Sequence, residues 1–386
     1  MIGQPLFRSF FLGGFECSTH RRPDGRRLDM VAATGHDRFA AEDYARLAEH
    51  GLRAAREGVR WHLIEPTPGR FDFGSVRPIL RAAGRSGTEV VWDILHYGWP
   101  DDLDVFEPAF IPRFARFARA LARLLADESP EIPWFVPVNE ISFLAWKGGE
   151  VGQINPFARG RGFELKRQLV RASLAAIEAI RSVVPGAKIA AVDPTFHTIA
   201  HPDRPHEADA AEAYRLAQFE GWDMLAGRLH PELGGYPGSF DAVGVNYYPW
   251  NQWTFNGNDA EGTTIGPDHE GYRPFRSMLR EAADRYDRPL FVAETGTEGD
   301  ARAPWFRHVA DEVRAALAEG VDVGGLCLYP IVDFPGWDNG RHCQNGLWDH
   351  ANADGSRPIH APLADELRHQ RDPGRDPARR DAVDIQ

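Results

Sequence analysis

Two glutamates in this 386-residue chain end apolar, β-rich runs: Glu140 closes PVNE and Glu294 closes FVAE. Glycoside hydrolysis needs such a pair of carboxyl groups flanking one bond, because the leaving oxygen must gain a proton while the anomeric carbon is attacked. Each glutamate alone has a plainer reading, since a Glu near a strand end equally serves a structural ion pair. Their joint placement carries the argument. Counted along the chain they end the fourth and seventh β runs, which lie across a closed eight-stranded barrel from one another, so their side chains can converge on its catalytic rim. DILH ends in the same manner at His96, where a satisfied interior histidine is the alternative.

The neighbours of these runs suggest supporting groups. Strand alternation puts Ala242, Gly244, Asn246 and Tyr248 on one face, with the polar pair at the top of the cavity. It likewise aligns Ala54, Arg56, Gly58 and Arg60, and an inward Arg56 guanidinium beside an inward carboxylate would keep that carboxylate ionised. Arg60 equally suits a rim salt bridge. Other chemistries lack their motifs: there is no HExxH, no GxSxG elbow and no GxxxxGK[ST] loop, and Gly148, Gly149 and Gly152 do not form GxGxxG. His197, His201 and His206 could suggest a metal, but they sit in one loop with three prolines, and neither a metal nor a cofactor is expected. Of Trp92, Tyr97, Trp99, Trp146, Trp250, Trp253, Trp305 and Trp337, half are expected in the core and the others at the rim, where sugar rings stack.

Eight β-rich runs could position these residues: 6–18, 54–61, 89–96, 135–140, 188–193, 240–248, 289–294 and 323–330. Amphipathic helical stretches at 41–50, 111–126, 165–184, 208–229, 275–286 and 305–319 alternate with them. Pro185 and Gly186 illustrate the helix stop that returns the chain to the sheet. This alternation predicts an α/β fold, a single-domain (β/α)8 barrel over residues 1–370, with a charged, disordered tail at 371–386. The longer connections, 99–110, 141–164, 195–209, 250–274 and 334–358, nearly all follow strands, on the face where barrel sites are built.

The net charge of −12 opposes nucleic acids and anionic membrane surfaces. Cys17, Cys327 and Cys343 are odd in number and form no CxxC pair, which argues against a disulfide framework and suits a reducing compartment. No apolar run is long enough to span a bilayer, and the 10–15 run is too short for a secretory signal, so a cytoplasmic protein is expected.

DAVGVNYY at 241–248, AETG at 293–296 and VNE at 138–140 resemble the strand-six, nucleophile and acid/base motifs of the family-one glycoside hydrolases, the β-glucosidase and β-galactosidase group. Arg56 to Trp61 with Ile64 and Pro66, and His96 with Pro100, are similar to further motifs, so the resemblance covers nearly the whole chain. It implies a retaining β-glycosidase with Glu294 as nucleophile and Glu140 as acid/base. It further implies that Asn139 holds the sugar 2-hydroxyl, that Tyr248 and Arg56 contact the nucleophile, and that His96 lines the glycone subsite. Ile141, Thr295 and His20 depart from that pattern, the last standing where a sugar-binding glutamine is expected. LYPIVDFPGW, which includes Trp337, resembles the eighth-strand region, but Tyr329 replaces its tryptophan and Gly336 the glutamate that grips distal sugar hydroxyls. The partner expected is a carbohydrate, with no nucleic acid or membrane. A transglycosidase with an acceptor site near Trp146, Trp250 or Trp253 is the first rival, and a non-catalytic sugar-binding barrel the second.

Overall fold

In the computed structural model, which describes residues 6–257 and 262–372, all eight expected strands form and close on themselves. They are β1 (Phe11–Gly14), β2 (Ala54–Gly58), β3 (Glu89–Leu95), β4 (Trp134–Val138), β5 (Lys188–Pro194), β6 (Ala242–Asn246), β7 (Leu290–Thr295) and β8 (Val323–Leu328). Every pairing is parallel, and β1 meets β8 through Phe11 opposite Leu326, which completes the (β/α)8 barrel. The parallel strands are covered on both faces, so the runs are short and mostly apolar, with Arg56, Glu57 and Asp93 buried inside them.

One helix of two turns or more follows each strand: α1 (His36–Glu49), α2 (Arg77–Ser86), α3 (Phe110–Glu128), α4 (Gly162–Arg181), α5 (Ala208–Leu216), α6 (Phe275–Tyr286), α7 (Arg302–Ala318) and α8 (Ala361–Gln370). Two cores result. Leu12, Ala54, Val91, Val136, Val192, Ala242, Phe291 and Ala293 fill the barrel, and Phe7 packs on Trp134 and Phe291 beside them. A larger core lies between strands and helices, as where Trp61 stacks on Phe117 of α3. Gly14 is required by close approach, because a Cβ there would lie 2.1 Å from the Tyr329 ring.

Several elements differ from the sequence reading. The 208–229 stretch is a broken helix, with a 3-10 turn at Ala217–Phe219 before a short helix at Glu220–Leu225. The 141–164 connection begins with a helical turn at Ile141–Leu144 and a π-helix at Ala145–Glu150. The tail is expected from residue 371, but Arg371 still donates to the carbonyl of His50, and residues 373–386 lie outside the described residues. No helix among the described residues is long and apolar enough to cross a membrane, and the three cysteines are free and buried.

A buried ionic chain ties the last part of the molecule to the first. Arg357 donates to both oxygens of Asp43 on α1 at 2.7 and 2.9 Å, His36 Nδ1 meets Asp43 Oδ2 at 2.9 Å, and His36 Nε2 meets Glu57 on β2 at 2.8 Å. Burial opposes a charged His36, but Glu57 and Asp43 outweigh it and raise its pKa to about 9. A pKa raised on folding stabilises the fold fully below the ordinary histidine value and is lost as pH rises through the folded value. Thermal unfolding from pH 6.5 to 9.5 should therefore show a loss on the order of 3 kcal/mol that His36→Gln abolishes. An identical pH slope in that variant would remove His36 from the account.

Candidate active site

Both carboxylates leave the regular strand to reach the barrel mouth. On β7, Phe291 and Ala293 face the barrel interior while Val292 faces the helices, so strict alternation would send Glu294 outward. The register slips there: Val245 pairs with Val292 but Asn246 pairs with Glu294, and on the other side Leu326 pairs with Val292 but Leu328 with Thr295. That extra residue turns Glu294 inward, a common use of a bulge beside a site. Glu140 follows β4 with φ +50 and ψ +64, left-handed backbone that a non-glycine residue rarely adopts. Its N–H donates to Val192 on β5 at 3.0 Å, which fixes the turn.

Arg56 is fully buried on β2 and links four strands. Its Nη1 donates to Glu294 Oε1 and to the Ala293 carbonyl, each at 2.9 Å. Its Nη2 donates to Asp93 Oδ2 at 2.7 Å and Asn139 Oδ1 at 2.9 Å. Tyr248 Oη donates to the other oxygen of Glu294 at 2.8 Å. Glu140 accepts from Asn246 Nδ2 at 2.8 Å and from the Tyr97 hydroxyl. The two carboxyl groups are thus held differently: Glu294 faces a guanidinium, Glu140 only neutral donors. Burial, then the charge of Glu294, push the Glu140 pKa up to about 8, against the hydrogen bonds from Tyr97 and Asn246.

The remaining residues form the walls. Asn139 Nδ2 points to His96 Nε2 at 3.2 Å and to Tyr97 Oη at 3.0 Å, while His96 Nδ1 lies 3.2 Å from both Asp93 Oδ2 and Cys17 Sγ. Tyr329 stacks parallel to His96 and carries Arg56 over its ring. His20 is buried against Trp337, at 4.5 Å between ring centres, and burial drives its pKa down to about 3, so it is neutral. His20 Nδ1, Trp337 Nε1 and Asn246 Oδ1 are buried with no protein partner. Such groups are costly unless something hydrogen-bonds to them.

Arg60 stands apart from these residues, paired instead with Asp29 and Asp37. His197, His201 and His206 do not gather as a ligand set among the described residues. Of the aromatic residues, Trp92 and Trp99 are core, Tyr97 is in the site, and Trp146 and Trp250 are exposed, the latter stacked on Tyr248. Sequence reasoning passed over Glu16 and Asp93, counted Tyr97 only among the core or rim aromatics, and read Cys17 only as an unpaired cysteine. GGFE has the same apolar-to-carboxylate ending as FVAE, a signal that could have found Glu16. Tyr97 had none, because its inward aim depends on a φ of +66 just past β3.

No protein-family model matches the chain. It is 24% identical over 397 residues to the aryl-phospho-β-D-glucosidase BglC of Bacillus subtilis, covering 82% of this chain and 81% of that protein. It is 23% identical to β-glucosidase 1B of Phanerodontia chrysosporium, over 84% of this chain and 74% of the other. The family 1 β-glucosidase of Thermotoga maritima superposes with a TM-score of 0.76 at 17% identity, covering 95% of this chain and 98% of that one, a likeness of fold. By sequence the chain is thus similar to curated β-glucosidases and a β-galactosidase, and by fold to a family 1 β-glucosidase.

Proposed function

We propose that this protein is a retaining β-glycosidase in which Glu294 is the nucleophile and Glu140 the acid/base. The observation that carries the reading is the asymmetry of the pair: Glu140 has a pKa of about 8 beside Glu294, whose oxygens accept from Arg56 and Tyr248. A carboxyl group raised by burial and by a neighbouring carboxylate that a guanidinium holds is the pattern of an acid beside a nucleophile. Glu294 attacks the anomeric carbon as the bond to the leaving oxygen breaks, and Glu140 gives that oxygen its proton. The resulting glycosyl ester is cleaved when Glu140, now a carboxylate, removes a proton from water that attacks the same carbon. Two inversions give net retention.

Asn139 supports the reading from between the two carboxylates, since Arg56 and Tyr97 fix its amide where a glycone hydroxyl would lie. The relatives act on β-glycosides by their names, one of them on phosphorylated aryl glucosides, and the unpaired His20, Trp337 and Asn246 atoms suit a sugar's hydroxyl groups. Exposed Trp146 and Trp250 suit an aglycone.

Glu294→Ala is expected to lose turnover of aryl β-glycosides and, with added azide, to give the inverted α-glycosyl azide; full activity in that variant would remove Glu294 from the role. Glu140→Gln should lower kcat/KM about 10²–10⁴-fold on an alkyl glycoside and far less on a dinitrophenyl glycoside, whose departure needs no proton. Equal losses on both substrates would count against an acid role. In the wild type, kcat/KM should fall above about pH 8 as Glu140 deprotonates, and Glu294→Gln should lower the Glu140 pKa followed by carboxyl-labelled NMR, because the neighbouring charge is gone. An unmoved titration would show that the two groups do not communicate.

A further inference from the structure

Glu140 stands where a helix cap belongs, but its side chain is engaged elsewhere. It immediately precedes the helical turn Ile141–Leu144, whose first N–H groups have no carbonyl within the turn to bond, and it makes no side-chain capping bond of its own. A residue in that place usually accepts from the N–H two or three positions on. Glu140 instead faces Asn246 and Tyr97 across the pocket.

Asp193 on β5 supplies the missing acceptor. Its Oδ1 and Oδ2 accept from the Ser142 N–H at 3.0 and 3.3 Å, and Oδ2 also accepts from the Ser142 hydroxyl at 2.9 Å. The carboxylate is 2% exposed, and Lys166, whose charge acts on it, lies beyond ion-pair distance with its Nζ on Glu220 at 2.6 Å. Burial pushes the Asp193 pKa up to about 7, so the fold keeps a costly group at this spot. The surroundings are shaped to it: a Cβ on Gly221 would lie 2.6 Å from Asp193 Oδ2 and 3.3 Å from Ser142 Oγ.

Two routes lead from Asp193 to Glu140. Along the backbone, β5 binds the Glu140 N–H through the Val192 carbonyl at 3.0 Å and Ser142, two residues on, through Asp193, so the left-handed turn at Glu140 is held on both sides. Through side chains, Phe143 in the same turn packs against the Tyr97 ring, 5.4 Å between centres, and the Tyr97 hydroxyl donates to Glu140.

We infer that Asp193 is the positioning residue of the acid/base: by capping the turn after Glu140 from the neighbouring strand, it fixes where that carboxyl group meets the leaving oxygen. The inference rests on the β-glycosidase reading and deepens it. Attack by Glu294 does not use the turn, so loss of the cap weakens proton donation selectively.

The test measures kcat/KM for octyl and 2,4-dinitrophenyl β-D-glucopyranoside on the full chain and follows the Glu140 titration by carboxyl-labelled NMR. Asp193→Ala should lose about tenfold to a hundredfold on the octyl glycoside, the scale of a misplacement near 1 Å, and much less on the dinitrophenyl glycoside. Asp193→Asn keeps an acceptor for the Ser142 N–H and should recover most of that loss. Both variants lack the charge, so the difference between their Glu140 titrations reports position, and the pKa should fall further in Asp193→Ala as the loosened turn admits water. Gly221→Ala, which pushes on the carboxylate with Asp193 in place, should repeat the selective loss, and it decides the matter if thermal midpoints show that Asp193→Ala does not fold. Equal losses on the two substrates, no loss, or an Asp193→Asn variant as impaired as Asp193→Ala overturns the inference alone when Glu140→Gln shows its own selective loss. If the wild type turns over no glycoside, the hydrolase reading falls and the titrations decide: a difference between the two variants supports the positioning of Glu140 by Asp193, and identical titrations overturn it.

Discussion

The buried guanidinium of Arg56 is the interaction on which the barrel mouth depends. It has no solvent, yet it donates to groups on β3, β7 and the residue after β4 from its own place on β2. A desolvated arginine is tolerable only where its charge is matched, and Asp93 and Glu294 supply that charge while both terminal nitrogens find acceptors and Nε finds none. Four separate strands are thereby held to one planar template. The planarity matters because a guanidinium offers its donors at fixed angles, so Asn139 and Glu294 cannot shift independently.

Around that template the site departs from regular geometry at each point where a side chain must be aimed. Glu140 and Tyr97 have left-handed backbone, and Glu294 follows a register slip. Strained or irregular backbone persists only when its surroundings over-determine it. Here the surroundings are the neighbouring ladders: Glu140 N–H is the last rung to β5, and the Glu294 carbonyl accepts from Tyr247 on the β6 side. The scaffold is thus regular where it stores stability and irregular where it presents functional groups.

The same division explains what could be read from sequence. All eight strands were legible because parallel strands make short apolar runs between helical patterns, and Glu140 and Glu294 stood out as carboxylates closing such runs. Arg56, Asn246 and Tyr248 followed from alternation, which holds along the lower part of β2 and β6. Glu16 and Asp93 were missed and Tyr97 was counted only among core or rim aromatics, since a polar residue near a strand end is ordinary until the strands beside it are known. α2 and α8 were missed because each is only 10 residues long and begins beside a proline, which reads as a loop signal. The break in the 208–229 helix was also hidden, although Gly221 within it approaches Asp193 so closely that a Cβ would lie 2.6 Å from the carboxylate.

The link between Asp43 and Arg357 spans 314 residues, and β1 meets β8 over a similar separation. Closing a loop of that length costs roughly 5 kcal/mol of chain entropy beyond a constant term. During synthesis, then, the first strand and its buried acids must wait for the last quarter of the chain before they gain their partners. Until the eighth strand arrives, β1 and β8's other neighbour, β7, remain open edges able to pair with another chain. Emergence of the eighth strand and of Arg357 therefore sets the moment at which these edges and acids are covered, and slow elongation through those segments would prolong the exposed interval.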